Sequence, residues 1–133
     1  MKAKRCPADA AFSTALRMSR NNTCEYCGRT DRKQDLAHIY GRRAKSIRWD
    51  TMNALCLCAF PCHSGFTENP LDFEEWLTDY LGQGYIDILK EKRNRLSVGT
   101  AKVTKAERQA IAKHYREQIK LMEAGPHDLV SYQ

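Results

Sequence analysis

The sequence predicts an α+β domain: a small β/α centre stapled by a four-cysteine zinc site, with one helix before it and a helical C-terminal half after it. Three observations predict this. Two close thiol pairs, Cys24/Cys27 and Cys58/Cys62, bracket the two short runs that read as strands. On either side of them, apolar residues recur at the spacing of amphipathic helices. Finally, 133 residues with 42% hydrophobic side chains make one compact domain, small enough to gain from a structural metal.

Residues 1–8 read as a loose basic arm. Asp9 is the expected cap of a first helix running to about Met18, with Phe12, Ala15 and Leu16 on its apolar stripe. Asn21, Asn22 and Thr23 break that helix, and Cys24-Glu25-Tyr26-Cys27-Gly28 forms a tight thiol turn. Residues 36–40 and 54–57 read as strands, with the basic loop Gly41-Arg42-Arg43 after the first. Residues 62–67 read as a short helix. Asn69-Pro70 then opens a longer one, because proline at the first helical position has no N–H to leave unpaired. Phe73, Trp76, Leu77, Tyr80 and Leu81 share its apolar face, which reads as core, and Gly82 stops it. Tyr85, Ile88 and Leu89 continue the pattern to about Leu96. Thr104 and Glu107 form a capping box for a last helix striped by Ile111, Tyr115, Ile119 and Met122, which Gly125-Pro126 ends. The expected organisation is therefore an arm (1–8), a stapled core (9–82), C-terminal helices packing on or extending it (83–125) and a tail (126–133).

The net charge of +6 and pI of about 9.1 fit a chain that binds a phosphate backbone. No apolar run reaches the 18 or so residues of a membrane span, and no apolar segment follows the basic N-terminus as a secretory signal requires. A cytoplasmic location is expected, where disulfides are disfavoured and six cysteines need another explanation. Five of them, at 24, 27, 56, 58 and 62, fall within 39 residues. A tetrahedral zinc site takes four soft ligands, and two turns with two thiolates each supply them. The second pair is one residue wider than usual, so Cys56 stays open as an alternative ligand, and His63 as the fourth member of a Cys3His site. A redox dithiol would sit on a βαβ frame, which this region lacks. Cys6 reads as a free thiol on the arm.

Between and beside the thiols lie groups that phosphodiester hydrolysis can use. His38 on the first strand, Asn53 at the edge of the second and His63 on the short helix can converge on one point. A neutral imidazole suits deprotonation of water near pH 7, and a hard divalent cation suits the charge on the leaving group. Arg42, Arg43 and Arg48 can grip flanking phosphates with their guanidinium forks. Trp49 reads as a packing anchor, His114 and His127 as solvated, and the Lys/Arg-rich stretch from Lys90 to Arg108 as either a solvated face or a track for a nucleic-acid backbone.

The stretch AHIYGRR…RWDTMNALCLC…CHSGFTENP resembles an HNH (ββα-metal) endonuclease, above all the small phage and prophage members with zinc-binding cysteines. A more distant likeness is to the NinG recombination proteins of lambdoid phages, and the resemblance runs from about residue 9 to 120. It implies a ββα-metal core in which His38 activates water, Asn53 braces the loop behind it and His63 ligates a catalytic Mg²⁺, Mn²⁺ or similar ion. The structural Zn²⁺ would be a separate ion. Many of the family carry Asp or His directly before the base as a second metal ligand; here that residue is Ala37, and Asp35 and Asp50 become the candidates. The implied function is metal-dependent nicking or cleavage of DNA, phage-encoded and tied to recombination, packaging or genome processing. A homodimer or other phage proteins would be partners in the host cytoplasm. The alternative is a catalytically inactive, zinc-stabilised module that binds DNA or protein, which Ala37 keeps open.

Overall fold

A computed structural model describes residues 6–41, 43–97 and 103–132, without the side chains of 95–97. Residues 1–5 of the arm, Arg42 and Lys102 lie outside the described residues. The elements in order are α1 (Pro7–Ser19), β1 (Gln34–His38), β2 (Ala54–Cys58), α2 (Ser64–Glu68), α3 (Pro70–Leu81), α4 (Gln83–Ser97) and α5 (Lys105–Ala124). Single turns at Lys45–Ile47 and Thr51–Asn53 shape the loop between the strands. Among the described residues no helix is long and apolar enough to cross a membrane.

α1 begins at Pro7, with Cys6 in the capping position, and not at Asp9. Proline's fixed φ suits the first turn, and the carboxylate has other partners. Asp9 is buried and accepts from Arg48 Nε at 3.0 Å and Trp49 Nε1 at 2.9 Å, with a second oxygen on Arg48 Nη2. It ties the first helix to the inter-strand loop, 40 residues away in the chain. Breaking such a part-buried pair by removing one partner costs roughly 3–5 kcal/mol. Cys6 is half-buried and packs on the same core, and so does not sit on a free arm. Asn21 and Asn22 end the helix with φ of 55° and 49°, a region asparagine enters at modest cost.

β1 and β2 form a two-stranded antiparallel ribbon with Ala37 opposite Leu55 and His38 opposite Ala54. β1 lies two residues earlier than the pattern predicts. Gln34 and Asp35 pair with Cys58 and Leu57, while beyond His38 one backbone bond, Ile39 N–H to the Asn53 carbonyl at 3.0 Å, is followed by the Asn53 side chain on Tyr40. Every residue of β2 is buried, because both faces of the ribbon are covered. One core holds Phe12, Leu16, Trp49, Ile111 and Tyr115, contributed by α1, the loop and α5. The other holds Leu55, Leu57, Leu77 and the buried thiols. Tyr115 locks the first core by donating its hydroxyl to the Trp49 carbonyl.

Two expectations need correcting. His114 and His127 are not free in solvent: His114 Nε2 meets the Val130 carbonyl at 2.7 Å, and His127 Nε2 meets Gln118 Oε1 at 2.7 Å. The tail after Gly125 folds back over α5, and Leu129 and Tyr132 cover the first core. The α3 stripe, expected to be core, buries only Leu77; Phe73 and Trp76 are half-buried and Tyr80 is 46% exposed. Among the described residues too little packs outside α3 to cover a whole apolar face.

Candidate functional site

The thiol turn after α1 is shaped by its own backbone. Cys24 Sγ accepts from the Cys27 N–H at 3.5 Å, Gly28 N–H donates to the Cys24 carbonyl at 2.9 Å, and Gly28 has a φ of +76° that side chains other than glycine's rarely take. Glu25 N–H donates to the Cys56 carbonyl at 2.8 Å, which docks the turn on β2. From β2 the chain delivers Cys58 as its last residue, and Cys62 follows one residue late because extended Phe60 (φ −144°, ψ 133°) splays outward. The result brings Cys24, Cys27, Cys58 and Cys62 together with all four Sγ atoms within 4.8 Å of one another.

The electrostatics of the four sulfurs are uneven. Burial resists ionisation of Cys24, but N–H groups of Cys27, Cys58 and Tyr26 outweigh it and draw the thiol down to about 7. Burial, and then hydrogen bonds to Cys58, Cys27 and Cys24, push Cys62 well above the ordinary thiol range. Four thiolates so close repel one another strongly without a central cation, and a soft dication such as zinc matches the donor set. The six cysteines are all free thiols, so the set is available to a metal. Cys56 stays outside the cluster: its thiol turns to Gln34 Oε1 at 3.7 Å, and burial, helped by Glu25 and Cys24, raises it to about 11. His63 is outside it as well.

On the other side of the ribbon's end, β1 delivers His38. Its Nε2 lies 2.9 Å from the Arg48 carbonyl. A carbonyl only accepts, so Nε2 carries a proton, and base chemistry by this ring would fall to Nδ1. Asn53 is fully buried and braces the loop that follows. Its Oδ1 accepts from Tyr40 N–H at 2.7 Å, and its Nδ2 donates to the carbonyls of Tyr40 at 2.9 Å and Ile47 at 3.2 Å. Leaving those groups unpaired in the interior costs roughly 1–3 kcal/mol each, which makes the loop's shape depend on one amide.

His63 precedes α2 and puts Nδ1 3.1 Å from Asp35 Oδ2. An ionised carboxylate only accepts, so Nδ1 donates and Nε2 is the ring nitrogen left for another partner. His38 and His63 line one cleft of about 220 Å³, together with Ala37, Phe66 and Phe73. Asp50 is elsewhere: it caps the Met52 N–H at 2.9 Å and pairs with Lys92. Among the described residues the four cysteines are the one group of three or more metal-ligating side chains, so His63 and Asp35 stand as a pair.

The arginines divide. Arg48 is committed to Asp9 and lies over the Trp49 ring, with its side chain only 14% exposed, so its fork is not open to a phosphate. Arg43 is exposed on the inter-strand loop. Sequence reasoning placed Arg93 in a basic stretch but missed its contact: its guanidinium sits 4.4 Å from the centre of the Tyr40 ring, just beyond His38. It also missed Glu25, which accepts from Cys56 N–H at 2.6 Å and from Tyr80 at 2.9 Å. No local pattern signals either residue, because both partners are distant in the chain. No family model matches the chain, and neither a curated protein nor a solved structure matches it.

Proposed function

We propose that this chain is a metal-dependent DNA endonuclease of the HNH, ββα-metal type, its scaffold fastened by zinc at Cys24, Cys27, Cys58 and Cys62. The observation that carries the reading is the shared cleft: two histidines open on it, each held through one ring nitrogen by a fixed acceptor. A hydrogen bond to one nitrogen sets which tautomer presents the other, as both a base and a metal ligand require. His63 supplies an imidazole nitrogen with Asp35 bonded behind it, and the other ligands of a hard divalent ion would be phosphate oxygens and waters. Such an ion, Mg²⁺ or Mn²⁺, would supply Lewis-acid charge for the phosphoryl oxygens.

His38 acts as general base: Nδ1 takes the proton of the attacking water, and the Arg48 carbonyl on Nε2–H keeps the ring in place and favours the imidazolium that forms. Asn53 holds the loop that carries Arg48, so the base is positioned at one remove. Asp35, accepting from His63 Nδ1–H, fixes the ring orientation in which Nε2 would face the ion, a supporting part played from behind His63. Arg43 and Arg93, with Arg42 by the resemblance, meet the phosphates on either side. Cutting both strands takes a homodimer or two successive nicks. Phage genome processing, recombination or packaging in a host cytoplasm is the setting the resemblance favours.

A second reading has an observation of its own. Ala37 stands where a metal-binding acid or histidine is expected, and the His63–Asp35 pair is satisfied without a metal. A zinc-stabilised module that only binds DNA or protein would look the same. The assay that separates them incubates supercoiled plasmid with the wild type, His38→Ala and His63→Ala, in Mg²⁺, Mn²⁺ or chelator. Metal-dependent nicking lost by about 10²-fold or more in His38→Ala supports the enzyme. Equal rates in the wild type and His38→Ala refute the base, and plasmid shifted but never nicked supports the binding module.

A further inference from the structure

A second opening, of about 540 Å³, lies between the thiol turn and α3 and shares only Phe66 with the histidine cleft. Its floor is aromatic. Phe66 stacks on Trp76 at 5.3 Å with an 11° interplanar angle, and Tyr26 stands edge-on to both at 4.9 and 5.2 Å. Tyr26 is 53% exposed, so the rings are presented to solvent as well as packed on one another. The rim is acidic: Asp72, Glu75 and Asp79, three and four residues apart on α3, all line the opening. None of the three has an ion pair or hydrogen-bonded side-chain partner among the described residues.

Ring packing explains the floor but not the rim. Residues 51–89 carry six carboxylates and no lysine or arginine, although the chain as a whole is +6. A face with that charge repels a phosphate backbone, so nucleic acid is the wrong occupant for it. Aromatic faces bordered by unpaired carboxylates suit a guanidinium or ammonium: the cation lies over a ring and its N–H groups reach the acids. The spacing along α3 fits several cations on one extended strand better than a single small amine.

We propose that this groove docks an arginine- and lysine-rich segment of a partner protein, leaving the basic loop around Arg43 for nucleic acid. The docking does not depend on the nuclease reading, since a binding module would present the same groove.

The probe is a synthetic nine-residue peptide of alternating arginine and glycine, titrated into the zinc-loaded full chain by calorimetry, with ¹H–¹⁵N spectra of the two tryptophan indoles. The expected result is salt-sensitive binding that moves the Trp76 indole and leaves that of buried Trp49 in place. The triple variant Asp72→Asn/Glu75→Gln/Asp79→Asn should weaken it by at least about tenfold, as loss of charge-assisted contacts implies. The control Glu91→Gln/Glu117→Gln/Glu123→Gln removes the same charge from exposed sites elsewhere and should change it by less than about twofold. Tyr26→Ala, at an exposed ring, should weaken it by roughly three- to tenfold. Absence of binding overturns the proposal. So does equal loss in both triple variants, which means general charge attraction only. A Trp76 shift with a DNA duplex and none with the peptide also overturns it. Self-association of the wild type, abolished by the first triple variant, would assign the groove to a second copy instead.

Discussion

The two faces of the β1–β2 ribbon are closed by different physics. On one face, α1 and the 20-residue α5 lay Phe12, Leu16, Ile111 and Tyr115 against Trp49, all at most 6% exposed. Fully burying side chains of this kind contributes about 1.5–3 kcal/mol each, and no metal is needed to hold them. The other face is met by the five-residue thiol turn, the five-residue α2 and α3, of whose apolar stripe only Leu77 is buried. There the four sulfurs converge where large apolar side chains would otherwise be needed. The first pair of helices closes a core by area; the second face buries less and brings together four thiols that could take a metal cross-link.

The largest test of that contrast is removal of the sulfurs. Cys24→Ser/Cys27→Ser should abolish stoichiometric zinc and lower the melting temperature by at least about 15 °C, since apparent zinc affinities in small sites run to about 10 kcal/mol or more. Metal analysis and thermal scans with and without chelator read it. An unchanged melting temperature would mean that the second face holds itself by its own apolar contacts.

Next in size is Phe12→Ala, expected to cost about 3–5 kcal/mol in urea unfolding while leaving the zinc content intact. If it released zinc, the two faces would be one cooperative unit and not two differently built ones. Asn53→Ala follows, at about 2–3 kcal/mol, with hydrogen-exchange protection lost at the Tyr40 amide. Retained protection there would show that the loop behind His38 keeps its shape by other means.

The smallest effect concerns Tyr80, at the edge of the second face. Burial and then its hydrogen bond to Glu25 raise the phenol from the ordinary 10 to about 12. The neutral form is the one favoured by folding. Its contribution is therefore complete below pH 10 and is lost as pH rises through about 12. Ultraviolet titration of wild type against Tyr80→Phe isolates this phenol, and Glu25→Gln should bring it back toward 10. A midpoint unmoved by Glu25→Gln would assign the shift to burial alone.

Much of the frame was legible in local chemistry. The proline starts at Pro70, the Thr104–Glu107 box and the glycine stops lie where the helices begin and end, because capping involves residues three or four apart. The thiol spacing announced a cluster, yet which four thiols join was open until β2 and the splayed Phe60 placed Cys58 and Cys62 together and turned Cys56 to Gln34. Asp9 read as a cap and proved to be the anchor of Arg48 and Trp49, since a buried carboxylate's partners can lie anywhere in the chain.

The sequence by itself therefore determined the α+β class, the helices, the strand pair and the pool of thiols and histidines, all of which follow from near-neighbour geometry and periodicity. Only the tertiary structure decided which groups are already engaged. It took Arg48 away from solvent, joined Asp35 to His63, set Arg93 on Tyr40 and left Asp72, Glu75 and Asp79 of α3 without counter-charges among the described residues. These are pairings across tens of residues, chosen by burial and charge once the ribbon and its two covers are packed, and a linear pattern carries no record of them.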